Sequence, residues 1–84
     1  MLTKKEVKNL EKYASSNSGS LVKIYENIEG KFNILPIRSS ASFKGDKLVS
    51  GERVLAELDT REEAESALIN ICGYSKGFID SLSQ

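Results

Sequence analysis

Residues 53–73, RVLAELDTREEAESALINICG, decide the fold of this chain. Thr60 and Glu63 have the spacing of a capping box, in which the threonine hydroxyl and the glutamate carboxylate each accept a backbone N–H at the start of a helix. Further acidic residues follow Thr60, where the positive end of a helix dipole favours them. Gly73 supplies the left-handed conformation that commonly ends a helix. The stretch therefore predicts a helix that begins after Thr60 and ends before Gly73.

The apolar residues of this helix recur with the spacing of one helical face. They are Ala64, Ala67, Leu68, Ile71 and Cys72. Residues 53–58, ahead of the cap, largely alternate between two faces, which is typical of a half-buried strand. The apolar face of that strand is predicted to consist of Val54, Ala56 and Leu58.

A capping box near the N-terminus predicts a first helix as well. Thr3 and Glu6 form a second capping box. Leu2 and Val7 are placed to pack together as a hydrophobic staple across the helix start. The helix has a narrow apolar stripe and many lysines, so most of its surface is predicted to face water. The serine-rich run at residues 15–20 favours turns and predicts a connection to the first strand.

Residues 21–37 predict a β-hairpin, because apolar and polar residues alternate on both sides of a short loop that ends at Gly30. A three-residue loop would place Ile24 opposite Ile34. Pro36 has no backbone N–H to donate, so the far end of the second strand is predicted to lie at a sheet edge or a bulge.

Residues 38–51 leave two alternatives open. The segment is rich in serine, glycine and charge, and Gly45 and Asp46 have the character of a turn tip. Its apolar residues, such as Phe43, would allow a second hairpin that leads into the next strand. A partly ordered loop with an exposed tip is the favoured interpretation.

The C-terminal residues carry a short apolar pattern. Phe78, Ile79 and Leu82 have helical spacing, and Ser75 is placed to cap one turn. We expect this tail to dock on the core, since three undocked apolar side chains would instead indicate a partner.

These elements predict an α+β fold in the order α-β-β-(β)-β-α, followed by a short C-terminal helical turn. We expect an antiparallel sheet of three or four strands. The helix after Thr60 should cover one face, and the helix after Thr3 should lie alongside it or across an edge. Eighty-four residues suffice for one small core, so residues 1–84 are predicted to form a single globular domain.

The charge of the chain is balanced overall but uneven along its length. Twelve Lys and Arg residues balance twelve Asp and Glu residues. Residues 1–51 hold nine basic and five acidic residues, whereas residues 52–84 hold three and seven. The plain interpretation is that these charges solvate two helices. The alternative interpretation is a surface with separated charge, in which one face is suited to anions and another to a basic partner.

Membrane and secretory signals are not evident in the sequence. No apolar run is long enough to span a bilayer, and the first ten residues, MLTKKEVKNL, lack the apolar core of a signal peptide. A single cysteine cannot form an internal disulfide. We therefore expect a cytoplasmic protein with no membrane partner.

The residue types argue against enzymatic chemistry. The chain has no histidine, which removes the usual general base near neutral pH and the commonest zinc ligand. Cys72 falls at the C-terminal end of a helix, where the dipole disfavours thiolate, and is predicted to be a core residue. The glycine-rich phosphate loops and the EF-hand spacing do not occur. We therefore expect no catalytic residue, no metal site and no cofactor.

Two sets of charged residues are candidate binding surfaces. The acidic patch is a candidate surface for an Arg- or Lys-rich partner. Its members are Glu57, Asp59, Glu62, Glu63 and Glu65. The basic patch is a candidate surface for nucleic-acid phosphates. Its members are Lys4, Lys5, Lys8, Lys12, Arg38, Lys44 and Lys47.

The order helix–strand–strand–strand–helix, with a basic first helix, resembles the double-stranded-RNA-binding domain over most of the chain. That resemblance implies lysines at the start of the second helix, whereas this chain has Arg61-Glu62-Glu63 there, which would repel an RNA backbone. Residues 58–65, LDTREEAE, are similar to the strand-to-helix junction in the arm-binding domains of phage-type integrases, whose sheet lies on DNA. A capping box produces this pattern in unrelated folds, so the second likeness implies topology only.

We expect a small non-enzymatic protein-interaction module, of the inhibitor or adaptor kind that phages and other mobile elements encode, with a protein as its partner. The alternative is a nucleic-acid-binding protein that uses the basic first helix and residues 38–51. A third option is homodimerisation through an open sheet edge or the C-terminal apolar residues.

Overall fold

The computed structural model describes residues 2–14 and 21–82, which form three helices and five strands. In chain order these elements are α1 (Lys4–Ala14), β1 (Val22–Glu26), β2 (Phe32–Pro36), β3 (Ala41–Lys44), β4 (Lys47–Gly51), β5 (Ala56–Leu58), α2 (Arg61–Cys72) and α3 (Lys76–Leu82). The predicted α+β class is confirmed. The strands number five and divide into two antiparallel sheets. The predicted connection at residues 15–20 lies outside the described residues.

The larger sheet has three strands, with β2 at its centre and β1 and β5 on either side. β1 and β2 form the predicted hairpin, in which Ile24 lies opposite Ile34 and Gly30 adopts a left-handed φ of 81° in the loop. β5 pairs only with Phe32, Asn33 and Ile34. Pro36 therefore lies beyond the last residue that β5 pairs, and the pairing with β1 continues through the Ile37 N–H, which donates to the Leu21 carbonyl at 2.9 Å.

The helices cover one face of this sheet. α2 buries Ala64, Ala67 and Leu68 against it. Leu10 of α1 and Ile79 of α3 complete the cluster. The strand residues in this core are Val22, Ile24, Ile34, Ala56 and Leu58. Burial of these side chains is the main favourable term in a domain of this size.

Both helices begin at their predicted capping residues, Thr60 and Thr3. The Glu63 N–H donates to Thr60 Oγ1 at 3.2 Å, and Gly73 ends α2 with a φ of 73°. At the start of α1, the Thr3 N–H donates to Glu6 Oε1 at 2.8 Å and the Glu6 N–H donates to Thr3 Oγ1 at 3.2 Å. These bonds satisfy N–H groups that have no partner within the helix.

The C-terminal segment docks on the core as predicted. The Phe78 N–H donates to Ser75 Oγ at 3.1 Å and begins α3. Ile79 of α3 is buried in the core. The Phe78 ring packs edge-on against the Tyr74 ring, with 5.1 Å between the ring centroids. This segment therefore exposes less apolar surface than an undocked tail would.

Side chains occupy part of each outer edge of the larger sheet. α1 lies along β5, where the Glu57 N–H donates to Glu6 Oε2 at 2.9 Å and Asn9 Nδ2 donates to the Leu55 carbonyl at 3.3 Å. At the other edge, the Val22 N–H donates to the Tyr74 hydroxyl at 3.1 Å. Edges covered in this way are poor templates for an added strand, and homodimerisation stays a prediction.

The strand predicted over residues 53–58 is shorter than expected. β5 contains only Ala56–Leu58, because the chain turns at Glu52 and Arg53 and is irregular until Ala56. The two-residue alternation consequently fails before β5. Leu55 is buried and Val54 is 41% exposed, the reverse of the predicted faces.

The favoured interpretation of residues 38–51 as a partly ordered loop is wrong, because the structure shows the alternative, a second hairpin. β3 and β4 pair around a turn at Gly45 and Asp46, and they form their own two-stranded sheet instead of extending the larger one. This hairpin lies on the sheet face opposite the helices, where Leu35 and Leu48 are buried outside the helical core. The fit is close, since a Cβ on Gly51 would overlap the Cδ2 atom of Leu35.

Glu6 gives the fold a pH-dependent contribution. Partial burial opposes its charge, but the backbone N–H groups of Thr3 and Glu57 outweigh that effect and lower the pKa of Glu6. The folded-state pKa therefore lies below the unfolded value of about 4.3. The resulting stabilisation is complete above the unfolded pKa and is lost as the pH falls through the folded-state pKa.

The substitution Glu6→Gln is expected to lower the free energy of unfolding by about 1 kcal/mol at neutral pH, because one of two N–H groups loses a charged acceptor. Urea unfolding of both proteins from neutral to acidic pH measures this difference, which should shrink as Glu6 is protonated. Glu29→Gln, at an exposed turn, is the matched control. A penalty that stayed constant across this pH range would contradict the assignment.

Candidate functional site

A cleft of about 180 Å³ lies between the outer face of the larger sheet and the hairpin. We call it the hairpin cleft. Its rim is apolar and its floor is polar. The rim residues are Ile28, Val49 and Val54, and the floor residues are Asn27, Asn33 and Glu57. Four separate parts of the chain supply these side chains, so the cleft exists only when the hairpin is docked.

The rim consists of large apolar side chains that are unusually exposed. Ile28 is 56% exposed, Val49 is 48% exposed and Val54 is 41% exposed. Val49 occupies a β-bulge, because the register passes from Ser42 opposite Ser50 to Phe43 opposite Leu48 and leaves Val49 without a partner. Bulges commonly re-aim a side chain beside a functional site.

The floor is a hydrogen-bonded network of two carboxamides and one carboxylate. Asn27 Nδ2 donates to Asn33 Oδ1 at 2.6 Å and to Glu57 Oε2 at 3.3 Å. Asn33 Nδ2 donates to the same Glu57 oxygen at 3.2 Å. Both asparagines are buried, whereas the Glu57 side chain is 44% exposed. The network therefore presents one partly exposed carboxylate, held in place by buried donors.

Asn27 also fixes the turn that carries Ile28. Its Oδ1 atom accepts the Glu29 N–H at 2.9 Å and the Lys31 N–H at 3.0 Å. The Ile28 N–H then donates to the Leu48 carbonyl at 3.1 Å, which joins the turn to β4. One asparagine thus connects the turn, the sheet and the floor of the cleft.

The charge in and around the hairpin cleft is negative. Glu29 and Glu57 are the charged residues that line it. Lys31 lies nearby, and its Nζ atom is 3.9 Å from carboxylate oxygens of both Glu57 and Asp59. Ion pairs at this distance and exposure are weak, so the cleft keeps an acidic character.

The structure separates the residues of the predicted acidic patch. Glu57 lines the hairpin cleft, and Asp59 lies beside it with Lys31. Glu62 and Glu63 line a different, open groove along α2. Glu65 lies between two cations, with carboxylate oxygens 3.3 Å from Arg61 Nε and 3.2 Å from Lys76 Nζ. Of the five predicted patch residues, Glu57 is the one that lines the apolar-rimmed cleft.

The structure does not gather the basic patch into one surface either. Its α1 members are exposed along that helix, and they are Lys4, Lys5, Lys8 and Lys12. Lys44 and Lys47 lie at the hairpin tip, and Arg38 lies at the hairpin base, roughly 20 Å away for an extended chain of this length. Lys47 Nζ is 2.6 Å from Glu26 Oε1, and this hydrogen bond raises the pKa of Lys47.

Cys72 is half-buried beside the core, as its helix position predicts. Its Sγ atom lies 3.7 Å from the Leu10 carbonyl, and burial raises the pKa of the thiol. Within residues 2–14 and 21–82, three or more His, Cys, Asp and Glu side chains do not come together as a metal site would require. The helices in the same residues are too short or too polar to cross a membrane.

The sequence contained a signal for this floor that hydrophobic periodicity does not detect. Asn is a poor strand former, yet Asn33 lies inside β2 opposite Tyr25, and Asn27 directly follows the end of β1. Asn27 also precedes a turn that ends in glycine, where asparagine often bonds to the backbone two residues ahead. The apolar rim had no comparable signal, because its three residues come together only through the hairpin.

Comparisons with protein-family models, with curated proteins and with solved structures found no match to this chain. Its function is therefore inferred from its own residues and their geometry.

The substitution Asn27→Ala is expected to lower the free energy of unfolding by about 2–3 kcal/mol, because it removes two donated and two accepted hydrogen bonds and leaves buried groups unsatisfied. Urea unfolding followed by circular dichroism gives this value. Asn70→Ala, on the exposed surface of α2, should leave stability within about 0.5 kcal/mol of the parent. Equal effects of the two substitutions would refute a structural role for the network.

Proposed function

We propose that this chain is a small non-enzymatic protein-interaction module, of the inhibitor or adaptor kind that phages and other mobile elements encode, and that it binds its partner at the hairpin cleft. The observation that carries this proposal is the exposed apolar rim above an acidic floor. Contiguous exposed apolar residues with a polar surround are typical of protein–protein interaction sites.

The shape and charge of the cleft favour a particular kind of partner segment. A volume of about 180 Å³ suits one or two side chains and is small for an organic cofactor. Ile28, Val49 and Val54 favour an apolar anchor, because burying such side chains contributes about 1.5–3 kcal/mol each when complete. Glu29 and Glu57 favour a Lys or Arg beside that anchor.

The floor network prepares the cleft for such a segment. Glu57 is held by two buried carboxamides before any partner arrives. A carboxylate that is already oriented loses less conformational freedom when it pairs with a partner's cation. The proposed contact therefore combines a preformed charge with apolar side chains that are already exposed.

Affinity capture from host lysate tests this function. The bait is compared with the double variant Ile28→Ser/Val49→Ser, which removes two rim side chains at exposed positions. We expect a discrete captured protein whose recovery falls about tenfold or more with the double variant, since each lost apolar contact is worth about 1 kcal/mol. The matched control is Ile69→Ser, which changes an apolar residue of α2 that is 40% exposed.

Recovery that was unchanged by the rim substitutions, or that fell as much with Ile69→Ser, would refute binding at the hairpin cleft. Failure to capture any specific protein would argue against the interaction-module function itself. Circular dichroism of each variant shows whether a loss of capture is due to unfolding.

A further inference from the structure

Two arginines face a second pocket, at the end of the hairpin opposite its tip. This pocket has a volume of about 250 Å³, and none of the described residues that line it also lines the hairpin cleft. Arg38 comes from the β2–β3 turn and Arg53 from the β4–β5 turn. We call it the base pocket. An inference about it is independent of the protein-interaction function.

The two turns that carry the arginines are fixed to each other and to the sheet. The Glu52 N–H donates to the Ser40 carbonyl at 2.9 Å, and the Ser39 N–H donates to the Pro36 carbonyl at 3.0 Å. Pro36 is itself buried at the end of β2. The backbone therefore holds Arg38 and Arg53 on opposite sides of one pocket.

Both guanidinium groups lack a partner within the described part of the chain. Neither Arg38 nor Arg53 makes an ion pair or a side-chain hydrogen bond there, whereas Lys31, Lys47 and Lys76 each lie within 4.0 Å of a carboxylate oxygen. Arginine is the side chain best suited to clamp phosphate or carboxylate, because its donors match two oxygens at once.

A second observation also indicates a ligand in the base pocket. The Ser39 hydroxyl is shielded from water and has no hydrogen-bond partner among the described residues. Buried polar atoms in native proteins are nearly always bonded, and an exception indicates a bound water, ion or ligand. Ser39 lines the same pocket as the two arginines, so rotation of its side chain about the Cα–Cβ bond would bring the unsatisfied hydroxyl to an oxyanion bound there.

The remaining walls indicate what the anion is attached to. Leu21, Pro36 and the Tyr13 ring form an apolar side of the pocket. Glu52 lines it too, so the two arginines and this carboxylate leave a net charge of +1. A net charge of this size favours a single anionic group over a polyphosphate.

We propose that the base pocket binds a small organic anion, made of one phosphate or carboxylate group on an apolar or aromatic body. Arg38 and Arg53 hold the anionic group, and the Ser39 side chain rotates toward the pocket and donates its hydroxyl hydrogen to one oxygen. The apolar body lies against Leu21 and Pro36.

Titration of the ¹⁵N-labelled protein with phenyl phosphate, benzoate and inorganic phosphate tests this assignment. Phenyl phosphate and benzoate should cause saturable shifts of the Ser39, Ser40 and Arg53 amide signals. Inorganic phosphate should bind at least fivefold more weakly than phenyl phosphate, because it has no apolar body. Arg38→Gln and Arg53→Gln should each weaken binding about tenfold, and Arg38→Lys should weaken it less. Lys76→Gln, which removes an exposed positive charge on α3, is the matched control and should leave the affinity unchanged.

Several results would overturn the proposal. One is the lack of saturable shifts with either organic anion, and another is equal affinity of the two arginine variants and the parent. Equal binding of inorganic and phenyl phosphate would remove the apolar body from the assignment. A single-stranded oligothymidine that bound through the same two arginines more tightly than phenyl phosphate would replace the small anion with nucleic-acid phosphate.

Discussion

The hairpin packs against the larger sheet through the close approach of Gly51 to Leu35, and the rest of the candidate surface is built on that contact. Leu35 is fully buried on the sheet face opposite the helices, and a Cβ at Gly51 would overlap its Cδ2 atom. This approach lets β4 lie against the sheet, where Leu48 becomes buried and accepts the Ile28 N–H through its carbonyl. A small domain has little apolar surface to bury, so a second packed layer is a substantial addition to its core.

The docked hairpin creates both candidate sites. At one end of the contact, the bulge at Val49 meets Ile28 and Val54 above a floor of carboxamides and a carboxylate. At the base of the hairpin, two hydrogen-bonded turns hold Arg38 and Arg53 over an unsatisfied hydroxyl. The two sites have opposite charge, and none of the described residues lines both. One rigid contact therefore positions an acidic, apolar-rimmed cleft and a basic pocket on a chain with zero net charge.

Local sequence patterns predicted the parts of the fold that are governed by short-range physics. The helix caps at Thr3 and Thr60, the Gly73 stop and the register of Ile24 with Ile34 are set by hydrogen bonds or turn lengths within a few residues. The strand before α2 was predicted too long. The alternation of apolar and polar residues does not show at which residue the backbone becomes extended after a turn. Periodicity was also unable to decide between hairpin and loop for residues 38–51.

Sequence patterns identified single residues of each candidate site but could not assemble either site, because each depends on contacts between distant segments. The cleft joins Asn27 to Glu57, which are 30 residues apart, and the base pocket joins two turns across the hairpin. Charge counting grouped Glu65 with Glu57, although Glu65 is paired with Arg61 and Lys76 on another surface. That grouping assumed that acidic residues close in sequence are also close in space, and the structure places them on different surfaces.

Native-state hydrogen exchange tests the docking of the hairpin most directly. The informative amides are those of Ile28 and Glu52, which bond to the hairpin, and that of Ile37, which bonds within the larger sheet. If the hairpin is packed as described, the three amides should have protection factors within about tenfold of one another, since they open together with the core. Exchange of Ile28 and Glu52 near the unprotected rate, while Ile37 remained protected, would show that residues 38–51 are a mobile loop and would contradict this account.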